Sequence, residues 1–201
     1  MVKVTAGPDQ KALDRIAKAL GGVTYQAPTV LKNAANATGR YAMKEIKKTA
    51  KESYDFNDNM ARFNKALKRK SASYANPRTI ISAVSKMGRL SNFVVEPRTV
   101  SITGNRPDVY RGHVLKGSSN ARLIGPSGNK AFIARIKNAT AGNNHEELVY
   151  RSDSDTLRTM YAPSDVKIAQ KSWEMAEERI ATKLQEYTKQ YIQDLLDRRT
   201  A

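Results

Sequence analysis

Apolar residues recur at three- and four-residue spacing in two long stretches of this chain, and each stretch predicts an amphipathic helix. The first begins at Pro28, a residue favoured in the first turn of a helix, and extends to Ser53. Its predicted core positions are Val30, Leu31, Ala34, Ala35, Ala37, Tyr41, Ala42, Ile46 and Ala50. The second begins at Pro163, and its roughly 30 residues at 1.5 Å each predict a rod about 45 Å long. Its predicted apolar stripe is Val166, Ala169, Trp173, Ala176, Ile180, Leu184, Tyr187, Tyr191 and Leu195.

Two shorter helices are predicted on either side of the first long one. The helix that opens at Pro8 and ends at Gly21-Gly22 has an apolar face formed by Leu13, Ile16, Ala17 and Leu20. Asn57 or Asp58 is predicted to cap the other helix, whose inward positions are Met60, Phe63 and Leu67. This second helix is expected to carry its basic residues outward.

Beyond residue 78 the spacing shifts toward two and β-branched residues become frequent, which predicts strands. The predicted strands are 79–84, 93–96, 98–102, 131–137 and 147–151. The last two flank a turn and are expected to form a hairpin. The glycine-rich stretch 103–130 is predicted to be a long loop that either serves a function or is disordered.

These elements predict an α+β fold with N-terminal helices, a central antiparallel sheet interrupted by a long loop, and a long C-terminal helix. We expect one domain over 1–201, made of a basic helical part (1–75), a β-rich part (76–162) and the C-terminal helix (163–201). Apolar residues make up 40% of the chain, which is low for a globular protein and fits either a subunit completed by its neighbours or partial disorder.

Charge is distributed unevenly, and this asymmetry points to a partner. Residues 1–90 hold eighteen Lys/Arg and six Asp/Glu, residues 91–137 hold eight and two, and residues 138–201 hold nine and eleven. The net charge of +16 therefore lies in the first two-thirds of the chain. A cationic body predicts attraction to a polyanion or to an acidic protein surface.

The cations expected to make that contact lie outside the predicted apolar stripes. They are Lys44, Lys47, Lys48, Lys51, Arg62, Lys65, Lys68, Arg69 and Lys70. The alternative is that these cations only form the solvated faces of two helices and bind no partner. Aromatic residues near them are few, so base stacking is poorly supported, and non-specific contact with phosphates is the expected mode.

Residues typical of catalysis or metal binding do not converge in this sequence. There is no cysteine, and the two histidines, His113 and His145, are interpreted as solvated loop residues. The acidic pairs Glu146/Glu147, Asp153/Asp155 and Glu177/Glu178 are interpreted as solvated. We therefore expect no enzyme activity, no cofactor and no metal. No stretch has the roughly 20 apolar residues of a membrane span, so a soluble protein made in a cytoplasm is expected.

The order of the elements resembles the minor tail protein Z family of tailed bacteriophages, a group of tail-completion proteins. The resemblance covers roughly 55–195. It is carried by the basic run 65–70, the Ala131-Phe132-Ile133-Ala134 strand, Val149-Tyr150-Arg151, and the Ala162-Pro163-Ser164 segment before the last helix. The acidic linker 152–155 and the glycine content of 103–130 depart from the family pattern.

The resemblance implies a structural virion protein without enzymatic activity. Such a protein would form a ring, a hexamer, at the head-proximal end of the tail around the DNA channel, and would be needed for tail completion and head–tail joining. Its implied partners are further copies of itself, the tail terminator, the tail tube, the head–tail connector and DNA that passes non-specifically. The implied location is the tail or neck of the virion, after assembly in the bacterial host cytoplasm.

Contacts between subunits are expected along the last helix, at Trp173, Ile180, Leu184, Tyr187, Tyr191 and Leu195. Residues 103–130 would be an arm that orders on assembly. Two other functions remain open: a free-standing, non-specific DNA-binding protein, and a metal-dependent nuclease. A contractile tail, a phage-derived bacteriocin or a gene-transfer particle would also accommodate such a subunit.

Overall fold

The computed structural model describes residues 2–6, 26–57, 60–85, 87–98, 107–126, 128–137, 144–153 and 156–200. The predicted α+β class is confirmed: the chain has a long N-terminal helix, small antiparallel sheets and a long C-terminal helix. The predicted helix over 8–20 lies outside the described residues. Most of the predicted strand over 98–102 does as well.

Three α-helices and eleven strands make up the described part of the chain. The helices are α1 (Ala27–Ser53), α2 (Ala61–Ala66) and α3 (Asp165–Thr200). The strands are β1 (Val2–Ala6), β2 (Leu67–Lys70), β3 (Thr79–Ala83), β4 (Gly88–Arg89), β5 (Val94–Glu96), β6 (Arg111–His113), β7 (Ala121–Arg122), β8 (Phe132–Lys137), β9 (Asn144–Arg151), β10 (Leu157–Thr159) and β11 (Tyr161–Ala162).

The strands form four small antiparallel sheets and not one central sheet. Their orders are β1-β3-β2, β10-β9-β8, β11-β4 and β5-β6-β7. Most of these strands are too short to pair along a wide sheet, so each reaches only one or two neighbours. Contacts group the chain into two compact units: Met1–Ala50 with Asn64–Val84 and Val166–Ala201, and Lys51–Phe63 with Ser85–Asp165. The single domain expected from the sequence stays a prediction.

Helix α1 buries the face that its sequence pattern predicts. Pro28 lies in its first turn and the helix ends at Ser53, as expected. Eight of the nine predicted core positions are buried, and Tyr41 is half-buried. Because five of the eight are alanines, neighbouring elements can approach the helix axis closely.

The sheet β1-β3-β2 packs on α1 through hydrogen bonds to the helix. The hydroxyl of Thr79, at the start of β3, donates to the carbonyl of Ala35 at 2.9 Å. The side chain of Asn36 accepts a hydrogen bond from the backbone N–H of Ala72 at 2.8 Å and donates to its carbonyl at 3.2 Å. These bonds fix the segment between β2 and β3 against the helix.

Gly39 is the position where α1 and β3 come closest. A Cβ atom at Gly39 would lie far inside van der Waals contact with Thr79 Cγ2, and 3.0 Å from Thr79 Cβ. A side chain of any size therefore requires the helix or the strand to move. The absence of a side chain at this position is a condition for the packing of the sheet.

The helix predicted to be capped by Asn57 or Asp58 is much shorter than expected. It spans Ala61–Ala66, and the chain then enters β2, whose first residue, Leu67, lies opposite Ala83 of β3 and is buried. The prediction that Lys68, Arg69 and Lys70 lie on a helix is therefore wrong. Pairing with β3 outweighs the local helix propensity of these residues, as tertiary contacts often do in short elements.

Helix α3 begins at Asp165, two residues after the predicted start at Pro163, and its 36 residues give a length of about 54 Å. Within the first unit it packs on α1. Ile192 and Leu195 contact the buried pair Ala27 and Leu31. Farther along, the guanidinium of Arg179 lies 3.0 Å from the carboxylate of Glu45 on α1.

The second unit is built around the predicted hairpin and an aromatic cluster. Strands β8 and β9 pair over six residues, which confirms the hairpin. Apolar residues of the hairpin, of β5 and of the loops form one core: Leu90, Val95, Tyr110, Ala131, Ile133 and Leu148. Separately, the ring of Phe56 stacks on that of Phe93 at 5.4 Å and lies 5.8 Å from that of Phe63.

The predicted long loop 103–130 is wrong for its described part. Residues 107–126 contain β6 and β7, which pair with each other and with β5. Tyr110 is only 2% exposed and belongs to the core of this unit. Strands β6 and β7 are three and two residues long. Their pairing depends on β5, and they are too short to show an alternating pattern in the sequence. No helix of the described chain is long and apolar enough to cross a membrane.

We predict that Gly39→Ala lowers the free energy of unfolding by about 1–2 kcal/mol, the cost of overpacking less the gain in helix propensity. Urea denaturation measures the change. The control is Thr79→Ser in the same background, which removes Cγ2 and keeps the hydroxyl that binds Ala35. It should recover part of the loss, whereas a Gly39→Ala protein as stable as the parent would contradict the close approach.

Candidate polyanion-binding surface

Six of the nine predicted cations are exposed: Lys44, Lys48, Lys51, Lys65, Lys68 and Lys70. Lys47, Arg62 and Arg69 are half-buried. Seven of the nine belong to the first unit, while Lys51 and Arg62 belong to the second. The nine predicted cations therefore differ in exposure and belong to two different units.

Five cations of α1 lie on one face of the helix, and one of them, Lys51, belongs to the second unit. We call the four that belong to the first unit the helix cation face: Arg40, Lys44, Lys47 and Lys48. At 3.6 residues per turn these positions fall within an arc of roughly 100°. They span eight residues, or about 12 Å along the helix axis. The arc is turned away from Ala35 and Gly39, which meet the sheet, and from Glu45, which meets α3. Arg40 is not among the cations predicted from the sequence, although its position four residues before Lys44 is a sufficient signal.

The helix cation face carries positive charge that the described fold does not neutralise. Within the described residues, none of these four side chains forms an ion pair or a hydrogen bond to another side chain. Two acids lie near this part of the helix in sequence. Glu45 is bound to Arg179 and lies on another face. Glu52, four residues after Lys48, is exposed and forms no ion pair within the described residues. Adjacent like charges one turn apart repel each other, which is unfavourable for the isolated helix. A polyanion would relieve that repulsion and release its own counterions.

A second group of cations lies at the edge of the sheet. Among the described strands, β2 is hydrogen-bonded only to β3, and its sequence is Leu67-Lys68-Arg69-Lys70. The side chains of Lys68 and Lys70 are exposed, and Lys65 just before the strand is exposed as well. Lysine on an outer strand also discourages edge-to-edge aggregation, so exposure alone does not assign these residues a partner.

Arg62 has a structural role inside the second unit. Its guanidinium lies 2.9 Å from the carboxylate of Asp165, whose side chain is 1% exposed. The backbone N–H of Asp165 donates to the hydroxyl of Ser85 at 3.1 Å. The ion pair stabilises the buried carboxylate at the start of α3. Arg62 is therefore committed to the fold, and the function proposed below does not use it.

The six residues predicted for subunit contacts differ in how deeply they are buried within their own chain. Ile180 is 2% exposed, so it is buried in its own chain. The other five, Trp173, Leu184, Tyr187, Tyr191 and Leu195, are half-buried. Leu195 packs on Ala27 and Leu31 of α1. The exposed parts of these five side chains are available for contact with another subunit.

His113 is the centre of a polar network in the second unit, and its interpretation as a solvated loop residue is wrong. It ends β6 and its side chain is 15% exposed. Nε2 lies 2.9 Å from the carboxylate of Asp55, and Nδ1 meets the amide oxygen of Asn120. The amide nitrogen of Asn120 donates to Glu96 at 3.2 Å. Asp55 is 58 residues away in sequence, so no local pattern predicts the pair.

Both ring nitrogens of His113 face oxygen acceptors, an arrangement that favours the doubly protonated imidazolium. The hydrogen bond to Asn120, followed by that to Asp55, raises the pKa of His113 above its ordinary value. The negative charges of Asp55 and Glu96 act in the same direction. The network fixes the loop after β6 near Asp55.

Glu146 is exposed, as predicted, but the interpretation of Glu147 as solvated is wrong, and neither residue lies in a turn. Both lie within β9, and the side chain of Glu147 is 6% exposed. Its carboxylate lies 3.1 Å from the guanidinium of Arg89. Among the described residues, no group of three or more His, Asp or Glu side chains is arranged to hold a metal ion.

Comparisons of this chain with models of protein families, with curated proteins and with solved structures give no match. Its function is therefore argued from its own residues.

We predict that His113 makes stability depend on pH. The pKa of His113 is raised in the folded protein, so the stabilisation is complete below the pKa of the unfolded chain and is lost as pH rises through the folded-state pKa. The free energy of unfolding of the parent protein relative to that of His113→Gln should therefore fall as pH rises past about 6.5. Denaturation at several pH values measures this difference.

His145→Gln is the matched control, since it removes the other histidine of the chain. It should leave the pH dependence of the parent nearly unchanged. A His113→Gln protein with the same pH dependence as the parent would show that the network does not bind the imidazolium.

Proposed function

We propose that this chain is a structural virion protein, a minor tail or tail-completion subunit without enzymatic activity. It would assemble as a ring, taken as a hexamer, at the head-proximal end of a phage tail around the DNA channel. There it would complete the tail and join it to the head. Its partners would be further copies, the tail terminator, the tail tube and the head–tail connector, after assembly in the host cytoplasm.

The observation that carries the proposal is the helix cation face. Four cations follow one side of α1 for about 12 Å, without an ion pair in the described chain. Such a row attracts phosphates whatever the base sequence. This suits contact with DNA that must slide along a channel.

The partly exposed apolar and aromatic residues of α3 support assembly. Five of its predicted contact residues keep part of their surface exposed, and the helix extends for about 54 Å. A ring would bury that remaining surface between neighbouring subunits. The family resemblance over 55–195 adds the same expectation.

A free-standing, non-specific DNA-binding protein is the second candidate, favoured by the same helix cation face. The two functions differ in how binding depends on assembly. A free-standing protein binds DNA tightly as a monomer or dimer, whereas a ring subunit binds weakly until several helix cation faces surround one duplex. Light scattering of the protein, alone and with a short duplex, distinguishes them.

We predict that changing Arg40, Lys44, Lys47 and Lys48 to Gln weakens binding to duplex DNA of any sequence. Each phosphate contact contributes a slope of about −0.9 to the plot of log K against log salt. The variant should therefore lose up to about 3–4 from the magnitude of that slope. Fluorescence anisotropy at several salt concentrations measures it.

The matched control changes four exposed cations of the second unit to Gln: Lys116, Arg122, Lys130 and Arg158. It lowers the net charge equally and should reduce the slope much less. Equal loss in both variants would mean that total charge, and not the helix cation face, attracts DNA.

A further inference from the structure

Strand β2 has an open edge, and the register of the sheet shows which backbone groups face it. Ala66 and Val84 lie opposite each other, and the N–H of Val84 donates to the carbonyl of Ala66 at 3.1 Å. Hydrogen-bonded and non-hydrogen-bonded pairs alternate in an antiparallel ladder. Lys68 and Lys70 therefore bond to β3, while Leu67 and Arg69 direct their N–H and C=O groups away from it.

No described strand pairs with that outer edge. Leu67 and Arg69 thus present two N–H donors and two carbonyl acceptors in alternation, the pattern that an additional strand pairs with. Phosphate oxygens only accept hydrogen bonds, so contact with the phosphate backbone of a nucleic acid would leave the two carbonyls without donors. The backbone of β2 therefore fits a peptide better than a nucleic acid.

The side chains of β2 restrict the chemistry of that peptide. Lys68 and Lys70 are exposed on one face of the strand, with Ser82 and Ile80 of β3 opposite them. The Nη1 atom of Arg69 is buried and has no hydrogen-bond partner among the described residues. A buried guanidinium nitrogen without a hydrogen-bond partner is uncommon in folded proteins.

A second copy of β2 is a poor occupant of this edge. Antiparallel pairing of two β2 strands would place Lys or Arg opposite Lys or Arg, and like charges directly opposite each other are destabilising. An acidic strand has the complementary charge. Residues directly opposite in a sheet share a face, so acids facing Lys68 and Lys70 must be two residues apart.

We propose that β2 is a docking strand for an extended acidic segment of a partner protein, with Asp or Glu at alternate positions. The segment adds to the sheet as a fourth strand and bonds through its backbone to Leu67 and Arg69. Its alternate carboxylates pair with Lys68 and Lys70. The proposal does not depend on the DNA role, because it uses other residues and a different class of partner.

The test measures binding of the full chain to a labelled synthetic peptide, Thr-Glu-Val-Glu-Val-Glu-Thr, with both ends blocked. Lys68→Gln/Lys70→Gln should weaken binding about five- to tenfold, as expected for two cross-strand ion pairs. Lys44→Gln/Lys48→Gln removes the same charge from the helix cation face and should change binding less than about twofold. Both variants change exposed side chains, and circular dichroism checks that they fold.

A second peptide separates strand addition from simple charge attraction. It has the same sequence with the valine nitrogens methylated, which removes the donors on one edge of the peptide and keeps its charge. A peptide methylated instead at the glutamate nitrogens blocks the other edge. Only one of the two edges pairs with β2, so one methylated peptide should lose binding and the other should retain it.

Three results would overturn the proposal. Equal binding of all three peptides would mean that charge alone attracts them. An equal loss with the helix variant would mean that β2 is not the site. Binding of a single-stranded oligonucleotide that displaces the peptide and depends on Lys68 and Lys70 would assign the edge to nucleic acid.

Discussion

The close approach of α1 to β3 is the contact on which the first unit depends. Gly39 leaves room for Thr79, and the hydroxyl of Thr79 bonds to the helix backbone at Ala35. With the sheet held on this face and α3 held on another through Leu31 and Glu45, two of the three faces of α1 are occupied. The opposite side of the helix carries the helix cation face, together with the buried Ala37. The contacts of α1 with the sheet and with α3 therefore determine both the packing of the first unit and the position of the helix cation face.

Charged residues in this protein fall into two classes that differ in what surrounds them. Arg62 and Arg89 each approach a carboxylate that is almost fully buried, on Asp165 and Glu147. Removing one member of such a pair leaves a buried charge uncompensated, which is strongly destabilising. The helix cation face and the exposed lysines of β2 have no such partner in the described chain. Their charge is not needed by the fold, which is why a ligand is sought for them and not for Arg62.

The long periodic elements could be predicted from the sequence, and the short paired ones could not. Helices α1 and α3 and the β8–β9 hairpin each have enough residues for their spacing to average out local exceptions. Strand β2 was predicted as a helix because four residues with good helix propensity give no sign of the strand 12 residues later that pairs with them. The His113 network escaped for the same reason, since its carboxylate comes from Asp55, far away in sequence. For the candidate surface, composition predicted the cations, but only the structure separates Arg62 from the rest.

The central claim is that the helix cation face binds a polyanion and that the bulk positive charge does not. Acylation of lysines in the unmodified protein, with and without a short DNA duplex, tests this residue by residue by mass spectrometry. The account predicts that Lys44, Lys47 and Lys48 become protected from acylation, while the exposed Lys116 and Lys189 remain as reactive as in the free protein. Equal protection of all exposed lysines, or protection that spares α1, would contradict it.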